Sequence, residues 1–229
     1  IDLDWHGPHD AEAPLVLLLH GLTGSSSSHY ILGQQQALAA QGWASVALNW
    51  RGCSGEPNLL PRGYHSGVSD DLGLVIAHLQ AARPLAPLYA VGYSLGGNVL
   101  LKYLGERGEQ SGLQAAVVNT DDAQGAALAA ELAGGALDLW TVGIDPASQR
   151  GAARLFARDI GFTHSGMCLT VGERDGDGNE IARHGLSLPL VGRYNVSNLL
   201  CVLATARALG VPLADAVRAC QALTPVPGR

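Results

Sequence analysis

Residues 88–104 read LYAVGYSLGGNVLLKYL, and the order of features in this stretch decides the fold. Leu88 to Val91 is a short apolar strand, Gly92-Tyr93-Ser94-Leu95-Gly96 has the form G-x-S-x-G, and a helix from about Gly97 to Leu104 follows. A nucleophile elbow needs that order. The sharp turn lifts a serine clear of the backbone, the glycines leave it room, and the helix N-terminus behind it favours developing negative charge. The bare pattern also occurs by chance in Gly-rich chains, so its weight comes from the strand before and the helix after.

Upstream, Leu15-Val16-Leu17-Leu18-Leu19 is a continuous apolar run between Pro14 and Gly21, as expected of a strand buried on both faces of a parallel sheet. Ser28 can cap a helix over about Tyr30 to Ala40 that Gly42 stops, and Ala44 to Leu48 makes a second buried strand. Ser69 can cap the next helix, where Leu72, Val75, Ile76 and Leu79 recur at helical spacing before Arg83-Pro84. Downstream come a strand at Ala115 to Val118, a helix from about Asp122 to Ala133 and a strand near Leu137 to Val142. Turn-rich short strands then fill the chain from about Ala153 to Pro189, and two helices close it, about Asn195 to Leu209 and Leu213 to Leu223. This alternation predicts an α/β three-layer sandwich: a mostly parallel, doubly wound sheet with an antiparallel edge from the second half.

Composition narrows the function. The 229 residues are 47% hydrophobic and 15% charged, ample for a core, and 30 Gly with 11 Pro stay below the roughly 25–30% that marks a disordered chain. A net charge of −6 without a basic stripe argues against nucleic acid as a partner. No apolar run approaches the ~20 residues that cross a bilayer, so the reading is no membrane and a cytoplasmic location. Cys53, Cys168, Cys201 and Cys220 are too scattered for a zinc site or a disulfide framework, so no metal and no cofactor are expected. Lys102 is the only lysine and Tyr103 follows it, which excludes a G-x-x-x-x-G-K-[ST] phosphate loop. Asp175 to Asn179 begins like a calcium loop, but Glu180 stands where glycine is needed and Leu186 where glutamate is needed, so a hairpin turn explains it better.

His20-Gly21-Leu22 ends the first buried strand. In acyl transfer one oxyanion donor is the backbone N–H after the nucleophile, here Leu95, and the second comes from such an earlier loop, here Leu22. His20 and His65 both precede Ser94, the wrong chain order for the base, so His20 reads as a structural histidine.

Residues from about 1 to 118 resemble α/β-hydrolases of the YheT type, through HGLTGSSSSHY at His20 to Tyr30, NWRGCSGEPN at Asn49 to Asn58, YHSG at Tyr64 to Gly67 and GYSLGGNVLLKYLGE at Gly92 to Glu106. The resemblance implies an esterase-like serine hydrolase with Ser94 as nucleophile, without naming its physiological substrate; a small ester is the partner such an activity would take. Residues from about 115 to 229 resemble the later part of the central domain of Mur ligases, closest to MurE, through AVVNTDDAQG at Ala116 to Gly125, LDLWTVG at Leu137 to Gly143, LPLVGRYNVSNLL at Leu188 to Leu200 and PVPGR ending at Arg229. That resemblance places the Asn119 segment, Asn195 and Asn198 around a nucleotide. The ligase's phosphate loop, metal-binding carboxylates, lysine-bearing segment and flanking substrate domains are all missing from this sequence, so a ligase is excluded on parts, and helix capping and turn-making account for Asn195 and Asn198.

The two resemblances meet at Ala115 to Val118, a strand that suits either parent. They imply a chimera: a hydrolase-like segment 1–118 and a ligase-like segment 119–229, joined in one α/β domain. The absence of an initial Met, and an end where the ligase's last domain would begin, agree with that expectation. Incomplete parents leave sheet edges uncovered, so self-association is also expected. For the triad, chain order allows Asp145 as acid, with Asp121 and Asp122 as alternatives, and His164 or His184 as base. Nothing in a junction near Val118 selects for the required 2.6–3.2 Å approach of a base to the serine. The function expected is residual serine hydrolysis at most, with a non-catalytic scaffold or nucleotide binding as alternatives.

Overall fold

The chain opens with a strand that its sequence does not advertise. Asp2–His6 (β1) is polar and mostly exposed, yet it pairs antiparallel with Ala44–Asn49 (β3). Between them lie Leu15–Leu19 (β2) and the helix His29–Ala40 (α1). Then follow Ser69–Ala82 (α2), Leu88–Gly92 (β4) and Leu95–Arg107 (α3). The computed structural model describes residues 1–144 and 153–223, and these fall into two compact units, residues 1–114 with 135–137 and residues 115–134 with 138 onward.

The first unit is built on a four-stranded sheet ordered β1-β3-β2-β4, with β2 parallel to both of its neighbours. Every residue of β2 is buried, because helices cover both sides. Val16 and Leu18 pack with Ile31 of α1, and the alternation of a strand turns Leu15, Leu17 and Leu19 to the opposite face. There α3 packs along β4 and α2 packs on α3. Each fully buried leucine contributes about 2 kcal/mol by area. The register sets Gly92 beside Leu19, so the turns leaving β2 and β4 emerge next to one another at the C-terminal ends of the strands, where open α/β sheets bind ligands. Ser28 stands at the N-cap of α1, but its hydroxyl accepts a hydrogen bond from the Ser25 N–H rather than capping the helix.

The second unit contains Ala115–Asn119 (β5), Ala123–Leu132 (α4) and Asp138–Ile144 (β6), then the strands Leu155–Thr163 (β7), Gly166–Arg174 (β8) and Glu180–Leu188 (β9). Tyr194–Ala208 (α5) and Leu213–Gln221 (α6) complete it. Its sheet runs β5-β6-β7-β8-β9, parallel from β5 to β7 and antiparallel beyond. The core gathers Trp140, Val142, Leu155, Leu169, Val171 and Leu200 among others, with α5 across β5 to β7 and α6 against β9. Asp175 accepts from the N–H groups of Asp177 and Asn179 in the turn between β8 and β9, so the calcium-like string is a hairpin turn.

The α/β layering and the antiparallel edge from the second half are present. They are divided between two sheets, where the sequence led us to expect one joint sheet. Alternation of strands and helices requires that strands pair but does not name their partners. Here β5 hydrogen-bonds to β6, and among the described residues β4 pairs with β2. The strand expected to be shared thus belongs to the second sheet, and β1 gives the first sheet an antiparallel edge of its own.

The cap of α4 permits a direct check. Asp122, in extended conformation at the N-cap, accepts the Gly125 N–H at 2.8 Å. Asp122→Ala should cost about 1 kcal/mol of the second unit's stability. Denaturant unfolding followed through Trp140, the only tryptophan of that unit, reads the change as a lower midpoint at constant slope.

Candidate active site

Ser94 stands between β4 and α3 with φ 51° and ψ −115°, positive in φ and outside even the left-handed well. For a residue with a β-carbon this costs on the order of 1–3 kcal/mol, and it persists only where neighbours force it. The Tyr93 N–H donates to the Leu19 carbonyl at 2.9 Å and the Gly96 N–H to the Tyr93 carbonyl at 2.9 Å. A β-carbon on Gly92 would lie 2.5 Å from the Gly97 nitrogen, and one on Gly96 would lie 2.8 Å from the His20 carbonyl oxygen. Both positions therefore have to be glycine, and Ser94 is pushed out to an exposed position. The helix begins at Leu95, earlier than the sequence suggested, because the turn itself feeds the first helical residue.

The loop after β2 lies against this serine: a β-carbon on Gly21 would come 3.9 Å from the Ser94 Oγ. Three groups hold the loop. His20, fully buried, donates from Nδ1 to the Gly21 carbonyl at 2.7 Å. The Gly24 N–H donates to the same oxygen, and the Tyr30 hydroxyl of α1 accepts the Gly21 N–H at 3.2 Å. Because the peptide is planar and trans, the Leu22 N–H points opposite to the Gly21 carbonyl. Fixing that oxygen fixes the direction of the donor. Among the described residues no hydrogen bond occupies the N–H of Leu22 or of Leu95, and Leu95 lies in the first turn of α3, where amides have no helical partner. Both expected oxyanion donors are thus open.

His20 serves this loop and not proton transfer. Its Nε2 accepts the Trp50 N–H at 3.3 Å, and the Trp50 indole N–H donates to the His20 carbonyl at 3.1 Å. Burial pushes its pKa below the usual histidine value, so the ring is neutral with its proton on Nδ1. Nothing in the string His20-Gly21-Leu22 names Trp50, Tyr30 or Tyr64 as its supports. Each does, however, lie in or beside the strings that carry the hydrolase resemblance.

The other half of a triad is not assembled around Ser94 within the first unit. None of the described histidines there hydrogen-bonds the Ser94 hydroxyl; His65, for one, accepts the Gly67 N–H through Nδ1. His164 lies in the exposed two-residue turn between β7 and β8, and His184 lies on β9, both in the second unit. Asp145 falls outside the described residues. The alternative acids have structural work: Asp121 accepts the Ile144 N–H and the Ser197 hydroxyl, and Asp122 caps α4.

The residues expected around a nucleotide are engaged with the chain. Asn119 accepts the Asp121 N–H, Asn195 donates to the Val191 carbonyl, and Asn198 donates to the Asn195 side chain at 3.4 Å. Among the described residues no three His, Cys, Asp or Glu side chains are grouped to hold a metal ion, and no helix is long and apolar enough to cross a membrane.

With the elbow and its loop defined, comparison with known proteins gives a match of residues 14–163 to the alpha/beta hydrolase fold. The chain belongs to this family. The chain is 42% identical over 120 residues to YheT of Escherichia coli (strain K12), an esterase candidate by its name, covering 52% of this chain and 35% of YheT. A different part is 55% identical over 118 residues to the UDP-N-acetylmuramoyl-L-alanyl-D-glutamate–2,6-diaminopimelate ligase of Acidovorax sp. (strain JS42), covering 52% of this chain and 21% of the ligase. The chain thus spans about a third or less of these two relatives' lengths, and it joins segments similar to two families. A solved structure of a ligase of the same name superposes with a TM-score of 0.53 at 16% identity, over 95% of this chain and 48% of that one, a likeness of fold alone.

Proposed function

We propose that the first unit carries the nucleophile and oxyanion half of a serine esterase site, capable of slow acyl transfer from small activated esters. One observation carries this reading: a strained, exposed Ser94 beside two unoccupied backbone N–H donors, Leu22 and Leu95. The Ser94 Oγ attacks the ester carbonyl carbon, the carbonyl oxygen becomes an oxyanion received by the two N–H groups, and on collapse the C–O bond breaks, releasing the leaving group as an oxyanion that solvent water protonates if it is basic enough. Water then hydrolyses the acyl-serine. With no histidine of the first unit on Ser94, the serine proton passes to solvent hydroxide, so the rate rises with pH through and beyond neutrality. Oxyanion stabilisation without the base still accelerates over water.

A second reading, a folded scaffold without turnover, draws support from that same missing base. Nucleotide binding by the second unit has less support, because Asn119, Asn195 and Asn198 already spend hydrogen bonds on the chain. Incubation with a fluorophosphonate, read by intact mass, separates the first two. The expected result is slow stoichiometric labelling that vanishes in Ser94→Ala. A cooperatively folded protein that takes no label would leave the scaffold reading.

A further inference from the structure

The string Tyr64-His65-Ser66-Gly67 marks the hydrolase resemblance, yet the reaction as described gives it no part. Tyr64 is half-buried, and its hydroxyl accepts the Thr23 N–H at 3.0 Å across 41 residues of chain. Thr23 has φ 58°, a left-handed conformation that a β-branched residue adopts only when held there. The Tyr64 ring lies nearly parallel to that of Trp50, at 7° with centroids 6.4 Å apart, and Trp50 in turn binds His20 through both of its N–H groups. The contacts close a ring: His20 fixes the peptide before Leu22, Tyr64 fixes the peptide after it, and Trp50 joins the two.

We propose that Tyr64 is a positioning residue for the oxyanion donor, its hydroxyl holding the Leu22–Thr23 peptide so that the Leu22 N–H faces the site beside Ser94. The proposal rests on the hydrolase reading of Ser94. The preceding peptide carries the Leu22 N–H, and one of its anchors, the Gly24 N–H on the Gly21 carbonyl, stays in place only while the chain between them does; Leu22, 65% exposed, supplies no anchor, so rotation about its φ and ψ would carry Thr23 and Gly24 away. Holding both flanking peptides removes that freedom. The Thr23 N–H draws the phenol's pKa down, while burial and the Cys53 thiol beside it raise it by more, to above the usual tyrosine range. The hydroxyl therefore keeps its proton near neutrality and meets Thr23 as an acceptor.

Tyr64→Phe keeps the ring and its stacking on Trp50 and deletes only the acceptor. In 15N-labelled protein the variant should exchange the Thr23 amide about tenfold faster and move the Leu22 amide resonance, with the amides of α2 unchanged. The rate constant for phosphonylation of Ser94 should fall about tenfold at unchanged apparent affinity, since misplacing a donor costs less than the roughly hundredfold or more of removing one. Unaltered Leu22 and Thr23 amides in folded Tyr64→Phe overturn the proposal whatever Ser94 does. Altered amides with an unaltered phosphonylation rate overturn it too, because Tyr64 would then shape the loop without serving the donor. Failure of the unsubstituted protein to label overturns the hydrolase reading, and the amide comparison still decides whether Tyr64 aims Leu22.

Discussion

Gly96→Ala is expected to lower the first unit's stability by about 3 kcal/mol or more and to abolish labelling of Ser94. The added methyl would press on the backbone carbonyls of Leu19 and His20, and backbone at the end of a fully buried strand cannot step aside as a flexible side chain can. Relief requires β2 to part from the start of α3, which moves Leu22 away from Leu95 and dismantles the proposed oxyanion pair. Gly33→Ala is the control. It lies within α1 with open space around its α-carbon, so the same chemical change there should be neutral or stabilise by up to about 1 kcal/mol. Denaturant midpoints and fluorophosphonate labelling of the two variants give the comparison; a Gly96→Ala protein that unfolds and labels like its parent would refute the packing described for the elbow.

The elements legible in the sequence are those whose signal is local. Leu15–Leu19 is apolar at every position and bounded by turn residues, and the structure places β2 at those residues. The G-x-S-x-G pattern was legible because it occupies five residues between a strand signal and a helix signal, although only the steric demand at Gly92 is local and that at Gly96 comes from the distant Leu19 and His20 carbonyls. β1 gave no such signal. Asp2-Leu3-Asp4-Trp5-His6 is an exposed edge, held by its pairing with β3 some forty residues later, by Asn49 donating to Asp4 and by Arg83 over the Trp5 ring. The division into two sheets was hidden for a related reason: the apolar strand Ala115 to Val118 carries no mark of its partner, and the structure pairs it with β6.

The site divides along the same line. Ser94, Leu95 and Leu22 could be proposed from the sequence because the motif implies where backbone N–H groups point, and the structure gives Ser94 a positive φ between β4 and α3. Tyr30, Trp50 and Tyr64 could not, since they reach the His20 loop through contacts spanning 9, 30 and 41 residues, and aromatic residues outside a periodic pattern read as ordinary core. For the base, chain order alone offered His164 and His184; the place of His164 in an exposed hairpin turn and of His184 on β9 follows from the antiparallel pairing of β7, β8 and β9 and from nothing the hydrolase segment contains.

The supports of the site have an electrostatic anchor that makes the protein's acid stability predictable. Arg51 follows Trp50 directly, and its guanidinium donates two hydrogen bonds, both at 2.7 Å, to the Asp71 carboxylate on α2. Asp71 is fully buried, so losing Arg51 would strand its charge, whereas losing Asp71 leaves a guanidinium that still reaches water; Asp71→Ala should cost about 2 kcal/mol at pH 7, the loss of two charge-assisted hydrogen bonds. The Arg51 hydrogen bonds hold the Asp71 carboxyl below the usual carboxylate range, against the opposing effect of burial. A group whose folded pKa is depressed contributes stability that is complete above its unfolded pKa of about 3.9 and is lost as the pH falls through the folded value. The gap in denaturant midpoint between the unsubstituted protein and Asp71→Ala should therefore hold constant from pH 7 to about pH 5 and narrow steadily toward pH 2. Because Trp50 adjoins Arg51, its fluorescence reports the loss where it begins, and slower phosphonylation of Ser94 in Asp71→Ala at pH 7 would show the ion pair reaching the oxyanion loop through Trp50 and His20. A gap that stays constant down to pH 2 would mean that the pair contributes through packing and not through charge.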